Sequence, residues 1–264
     1  MKTLVITGGT DGLGRELART YLGRGDRVVI VGRDAAKARA VPGAEFLRAD
    51  LSLMAENRRV VDELNSRFPS VDALVLCARY FRARRWETAE GIEGTFALEY
   101  LSRFLLSHGL GDPGVIVNVS GPGVPMGRVH WDDLMLARGY DGVAAQLQAG
   151  RANDLLGVAY AARHAPGRTR YVLLNPGPVS TGFCGEYDAA TAAHVASLKR
   201  YGLPVADGVK PIVALVDAPP AAPLSAFARD EPISIGGPAF DPAAADRLHA
   251  LTSELVSPRN APYA

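Results

Sequence analysis

The 264-residue chain is poor in cysteine, in excess charge and in long apolar runs. Cys77 and Cys184 are its only cysteines, too few for a disulfide framework, and a reducing cytoplasmic setting is expected. Basic and acidic residues nearly cancel, leaving a formal net charge of +1. No broad field therefore draws nucleic acid or an anionic membrane. No apolar run reaches the roughly 18 residues that span a bilayer. The N-terminus enters a strand pattern at once, so no signal peptide is expected. The sequence shows no repeat, no Gly/Ser linker and no Cys/His spacing that suits a metal. A last absence proves the most informative: no tyrosine stands four residues before a lysine. The lysines are Lys2, Lys37, Lys199 and Lys210, and the residues four before the last three are Arg33, Val195 and Ala206.

What is present is a rhythm. Apolar residues make up 48% of the chain, enough for a sizeable core. Short apolar runs at 3–8, 27–32, 73–78, 115–120 and 170–177 read as strands, with a further strand before Asp50. Helical patterns fill 12–24, 53–68, 90–109, 142–164 and 205–217, and a terminal helix is expected at 241–257. Buried parallel strands read as continuous apolar runs because helices cover both sheet faces. The expected fold is therefore α/β: a Rossmann-type, doubly wound parallel sheet flanked by helices, one domain over 1–264. Two segments break the rhythm, an insert at about 120–141 and a candidate lid at about 183–204. The stretch 217–240 is rich in Pro and Ala and carries no strand assignment.

TGGTDGLGR (7–15) follows the first strand and opens the first helix. Gly8 allows a tight turn. Gly12 and Gly14 let backbone approach a pyrophosphate resting on the helix N-terminus, with Thr10, Asp11 and Leu13 in the same turn. The alternative is a tight turn with no ligand. At the end of the second strand a dinucleotide fold usually carries an acid for the ribose hydroxyls, and here Gly32-Arg33 stand instead. An arginine favours a 2′-phosphate, so NADP(H) is expected over NAD(H). The alternative leaves Arg33 in solvent and Asp34 on the ribose. Lys37 assists Arg33 or faces water.

The TGxxxGxG spacing in its strand–turn–helix context resembles the short-chain dehydrogenase/reductase family. Similarity to its retinol-dehydrogenase-like branch extends over 87–106, VHWDDL (129–134) and 227–256. The resemblance implies that Asp50-Leu51 hold the adenine edge, although Asp50 also suits a helix N-cap. It implies that NPGPVST (175–181) holds the nicotinamide carboxamide through Pro176, Gly177, Val179 and Thr181. The family's Asn-Asn-Ala-Gly is here Leu76-Cys77-Ala78-Arg79, which leaves Cys77, Ala78 and Arg79 beside the nicotinamide ribose. The catalytic Asn falls at Glu99 and the catalytic Ser at Gly121, one residue after Ser120. The Tyr and Lys fall at Gln146 and Gly150. Proton delivery by Tyr beside Lys⁺ is thus missing, and Gln146 cannot supply a proton at neutral pH.

No residue stands out as the replacement acid. Ser120, Glu99 and Tyr100 are weak catalytic candidates, and His108, His130 and Tyr140 are weaker. Tyr80, Gly121, Gln146 and Phe183 are expected to line a substrate pocket, where the glycines at 121 and 150 leave room for a flat molecule. The cluster Arg79, Arg82, Arg84 and Arg85 reads as an anion site or as a solvated basic loop. The pattern is similar to the aromatic-polyketide ketoreductases of this family that lack the tetrad and act on angucyclinones. That resemblance implies NADPH-dependent reduction of a small aromatic ketone whose own phenol assists. A non-catalytic NADP(H) sensor or scaffold, and a cyclase or isomerase with structural NADP(H), are the alternatives. The family also implies dimer faces on the helices at 90–109 and 142–164.

Overall fold

A computed structural model describes residues 1–257; residues 258–264 of the expected domain lie outside the described residues. The described residues form ten strands interspersed with helices. They are β1 (Thr3–Thr7), β2 (Arg27–Gly32), β3 (Glu45–Arg48), β4 (Ala73–Leu76), β5 (Phe81–Arg82), β6 (Val115–Val119), β7 (Arg170–Asn175), β8 (Gly185–Glu186), β9 (Leu224–Ala228) and β10 (Glu231–Ile233). The helices are α1 (Gly12–Leu22), α2 (Ala35–Ala38), α3 (Met54–Arg67), α4 (Gly94–Phe96), α5 (Ser102–Gly109), α6 (Gly142–His164), α7 (Ala189–Tyr201), α8 (Val205–Gly208), α9 (Lys210–Asp217) and α10 (Pro242–Leu255). A π turn, Ala97–Leu101, joins α4 to α5.

Eight strands form one sheet in the order β10-β9-β7-β6-β4-β1-β2-β3. All its pairings are parallel except β9 with β10. The chain runs outward from β1 through β2 to β3, then returns to β4 on the other side of β1. This reversal opens a crevice beyond the strand ends, where α/β sheets bind ligands. Successive strand residues point to opposite faces. Leu4, Ile6, Ala73 and Val75 join the core under α1 and α9. Val5, Leu74 and Leu76 join the core under α3, α5 and α6. Both faces are covered, which is why the strands are apolar throughout.

The expected doubly wound fold is present, and three local expectations need correction. The helix expected at 90–109 starts at Gly94, where Glu93 caps it by accepting from Thr95 N and Phe96 N, and it carries the π turn. The helix at 205–217 is two pieces, α8 and α9. The stretch 217–240 contains β9 and β10; its prolines hid an edge hairpin, and Pro232 is tolerated on the outermost strand. The candidate lid is mostly a helix, α7, with β8 before it pairing with β5 in a separate two-stranded sheet. No described helix is long and apolar enough to cross a membrane.

Candidate active site

The crevice begins at the Gly-rich turn. Gly8 and Gly12 have φ of +68° and +49°, a conformation that favours glycine. A Cβ at Gly8 would lie 2.9 Å from Ala78 Cα, and one at Gly14 would lie 2.5 Å from Gly8 O. Side chains are sterically excluded there, so bare backbone faces the crevice at the N-terminus of α1. That cradle fits a pyrophosphate. Asp11 caps α1 by accepting from Gly12 N at 2.7 Å. Its carboxylate also pairs with Lys37 Nζ at 2.9 Å. Against its own burial, these bonds hold the Asp11 carboxyl below the ordinary aspartate value. Thr10 is buried against Gly32, and the Leu13 side chain packs toward Gly208.

Arg33 is half-exposed at the end of β2, 3.7 Å from Asp50 Oδ2, with its guanidinium 5.4 Å from the Tyr80 ring centre. Asp34, the alternative ribose ligand, caps α2: its Oδ1 accepts from Ala36 N at 2.8 Å and Lys37 N at 3.1 Å. Asp50 Oδ1 accepts from Ser52 N and Oγ, which leaves Oδ2 toward Arg33. Asp50 is not the N-cap of α3. Glu90 fills that role from a distant loop, accepting from Met54 N at 2.6 Å and Ala55 N at 3.0 Å. The Leu51 side chain is buried in the core, so only its backbone borders the crevice.

At the reactive end, Thr7 Oγ1 accepts from Cys77 N at 3.1 Å and Ala78 N at 3.2 Å and fixes the exit of β4. Burial pushes the Cys77 thiol up to about 12, so it is inert at neutral pH. Glu99 sits in the π turn with a buried side chain. Its Oε1 accepts from Gln146 Nε2 at 2.7 Å and Tyr80 N at 3.2 Å, and its Oε2 lies 3.5 Å from Arg79 Nε. Gln146 Oε1 has no partner. A Cβ at Gly150 would meet nothing within 4 Å, and one at Gly121 only Val124 at 3.6 Å. Ser120 Oγ makes one long contact, to Asn118 O at 3.5 Å. Tyr100 is corrected: it is 1% exposed and its hydroxyl is 2.7 Å from Thr252 Oγ1 on α10, inside the core. Burial raises its pKa, and it takes no part in the crevice.

The insert and the 183–204 segment are held differently. The insert is clamped to α6 from inside. Gln148 accepts from His130 N and donates to Leu134 O, both at 2.9 Å; Arg151 donates to Gly127 O and Val124 O; Asp154 accepts from Gly123 N. The 183–204 segment is held by polar contacts near the surface. Cys184 Sγ lies 3.5 Å from Asp11 Oδ2, and Glu186 pairs with Arg82 at 3.2 Å. Phe81 stacks on Tyr187 at 5.2 Å. Phe183 has a φ of +45° and donates N–H to Thr181 Oγ1. NPGPVST leads into this segment. Gly177 turns with φ +82°, Pro176 and Val179 are buried, and a Cβ at Gly12 would come within 3.3 Å of Thr181. The Gly-rich turn and the 175–181 segment are therefore one site.

The arginine cluster dissolves into separate roles. Arg82 lies under Trp86 at 4.3 Å and beside Tyr80 at 4.8 Å, and Arg85 donates to Met135 O. Sequence reading passed over Arg103, which is buried beneath the crevice on α5. Its only sequence signal is a charge in an otherwise apolar helical stripe.

Residues 2–131 match the short chain dehydrogenase family. A candidate daunorubicin C-13 ketoreductase of Streptomyces sp. strain C5 is 32% identical over 145 residues, 50% of each chain. An oxidoreductase of Penicillium decumbens is 30% identical over 199 residues, 67% of this chain and 58% of its own. The chain spans about half the length of the curated relatives it matches, as with mouse retinol dehydrogenase 13 at 49%. An uncharacterised protein from Mycobacterium paratuberculosis has the same fold, with TM-score 0.76 at 24% identity over 97% of this chain and 93% of that one. A Burkholderia cenocepacia short chain dehydrogenase in complex with NADP superposes with TM-score 0.64 at 19% identity, covering 87% and 96%. The matched residues carry the Gly-rich opening, and the strand order gives the chain the Rossmann-type fold of these solved structures.

Proposed function

We propose that the chain is an NADPH-dependent ketoreductase acting on an aromatic polyketide ketone, angucyclinone-like, in antibiotic biosynthesis. The observation that carries this reading is the contrast within one crevice. The Gly-rich turn keeps bare backbone at Gly8 and Gly14 and lies against Thr181, while Gln146 donates to Glu99 where a proton donor is expected. The Gly8–Gly14 backbone would hold the pyrophosphate, Arg33 with Lys37 the 2′-phosphate, and Asp50 the adenine edge. Pro176, Gly177, Val179 and Thr181 would hold the carboxamide, with Cys77, Ala78 and Arg79 beside the ribose. The NADP bound to the Burkholderia protein and the ketoreductase assignment of the Streptomyces relative support this reading. So does the sequence resemblance to the simocyclinone C7-ketoreductase.

When bound, NADPH supplies the hydride. The residues around Gln146, Gly150, Gly121, Tyr80 and Phe183 bind and orient the flat ketone and exclude water. A phenol beside the ketone hydrogen-bonds the carbonyl oxygen and gives it a proton as negative charge gathers there, and water restores the phenol. The clamped insert is a fixed wall, and the 183–204 segment is the part that opens.

The test is NADPH oxidation with paired aromatic ketones, with and without a phenol beside the carbonyl. Turnover of the phenolic ketone and a fall of about 10²-fold or more without the phenol is expected. Equal rates would sink substrate assistance. Binding of NADPH without turnover of any ketone would favour the sensor reading, and product formed with the cofactor unchanged would favour the cyclase or isomerase reading.

A further inference from the structure

Arg103 is 3% exposed, and its guanidinium has no carboxylate within ion-pair distance among the described residues. One nitrogen donates to Asn118 Oδ1 and to Val119 O at 2.9 Å; another donates to Ala78 O at 3.2 Å; Nε has no partner. Asn118 is in turn fixed by Asn153 Oδ1 at 2.9 Å and the Tyr171 hydroxyl at 3.0 Å. The cation is therefore locked in place. Glu99 offsets only part of this charge, and the Cys77 thiol and Tyr171 phenol offset none, because burial keeps both up at about 12 and hence neutral. Replacing a buried charge with an apolar side chain of similar volume is often neutral or stabilising. Packing alone gives no reason for an arginine here.

Its place gives one. Ala78 and Val119 lie at the carboxyl ends of β4 and β6, beside the point where the strand order reverses. Carbonyl oxygens at these ends would put partial negative charge on the crevice floor, and Arg103 ties two of them to a fixed cation. Glu99, one helical turn earlier, carries the opposite sign, but Arg79 and two hydrogen-bond donors already face it.

We propose that Arg103 is a positioning residue whose buried charge sets a positive potential at the reactive end of the crevice, selecting the neutral reduced nicotinamide over its cationic oxidised form. This rests on the NADP(H) reading above. The same potential favours negative charge on a bound aromatic ketone and speeds loss of the oxidised cofactor after reduction. A charge buried this way is weakly screened, so its effect persists at high salt, unlike that of half-exposed Arg33.

The ratio of NADP⁺ to NADPH dissociation constants tests this without turnover, because the two forms share every group but the ring charge. Titrations of the wild type, Arg103→Met, Arg103→Lys and Glu99→Gln supply it. Arg103→Met is expected to tighten NADP⁺ relative to NADPH by about tenfold, or about 1.4 kcal/mol. Arg103→Lys is expected to keep the wild-type ratio, and Glu99→Gln to move it the opposite way. An unchanged ratio in Arg103→Met, with both forms still binding, overturns the proposal. If that variant does not fold, the Lys and Gln variants decide: a ratio unmoved by Glu99→Gln, or shifted by Arg103→Lys as far as tenfold, overturns it. Failure of the wild type to bind either form overturns the cofactor reading instead.

Discussion

Gln146 on α6 donates its side-chain amide to Glu99 Oε1 across the crevice at 2.7 Å. Each residue thereby occupies the other, and neither is left to pass a proton to a ligand. A group that supplies no proton costs little when removed, whereas a positioned general acid contributes about 10²–10⁴-fold. Gln146→Ala and Ser120→Ala are therefore expected to hold kcat/KM for a phenolic ketone within about tenfold of wild type, with no new limb in the pH profile. A drop of about 10³-fold in Ser120→Ala would assign Ser120 the acid role and remove the need for substrate assistance, and one in Gln146→Ala would make Gln146 a positioning residue for the ketone.

Arg33 is expected to set the preference for NADP(H). It lies 3.7 Å from Asp50 and 5.4 Å from the Tyr80 ring centre, and the competing acid Asp34 caps α2 through Oδ1. Hydrogen bonds to charged groups contribute about 1.5–3 kcal/mol each. Arg33→Ala should weaken NADPH binding by about 10- to 100-fold and leave NADH binding nearly unchanged. Fluorescence titration of both cofactors reads this directly. Equal weakening of the two would place Arg33 on a group they share.

The glycine cradle offers a steric test. A Cβ at Gly14 would lie 2.5 Å from the backbone oxygen of Gly8, and backbone has no rotamer with which to yield. Gly14→Ala should abolish detectable cofactor binding and lower stability by about 1–3 kcal/mol, in line with overpacked sites. Gly150→Ala is the control. Its Cβ would enter open space, so cofactor affinity should stay near wild type while KM for a bulky aromatic ketone rises.

Much of this was legible in the sequence, and the illegible parts share a cause. Strand–turn–helix order and glycine spacing are local, so the backbone turn from Gly8 to Gly14 could be read from a short window. The roles of Asp50 and Tyr100 depend on partners far along the chain. Glu90 caps α3 from 36 residues away, and Thr252 draws the Tyr100 hydroxyl into the core from 152 residues away. The π turn, which sets which way Glu99 faces, leaves no trace in a helical periodicity. Arg103 read as one charge in an apolar stripe because the carbonyls it serves belong to two other strands.

His108 should make the fold acid-sensitive. It packs against Phe104 at 4.5 Å and lies 5.2–5.3 Å from the rings of Tyr160, His164 and His249, with Nε2 unpartnered. Burial first, then the neighbouring His164 and His249, push its pKa down to about 3. The unfolded value is near 6.5. The unfolded chain therefore takes up the proton first. Stability is full above about pH 6.5 and falls as pH drops through that value toward 3. Between about pH 7 and pH 5 the loss should be about 1–2 kcal/mol, and His108→Leu should reduce it. Urea melts at both pH values measure the difference. A wild-type loss that His108→Leu leaves intact would assign the acid sensitivity to other groups.

Asp154 should act with the opposite sign. It is 1% exposed beneath the insert, accepting from Gly123 N at 3.1 Å and Arg151 at 3.3 Å through Oδ2, while Oδ1 has no partner. Burial pushes its pKa up to about 7, against the pull of Gly123 N and Arg151. The unfolded value is near 3.9, so between about pH 4 and 7 the folded chain binds the proton more tightly. The Asp154 contribution is thus complete below about pH 4 and is lost as pH rises through 7. Asp154→Asn keeps the shape and removes the titration. Its stability relative to wild type should climb by about 1–3 kcal/mol from about pH 4 to pH 8, less than the full shift implies because Arg151 offsets part of the buried charge. Paired urea melts of the two proteins across that range give the slope. A stability difference that stays flat with pH would mean that the Asp154 carboxyl titrates alike in the folded and unfolded chains, with Arg151 and Gly123 fully compensating its burial.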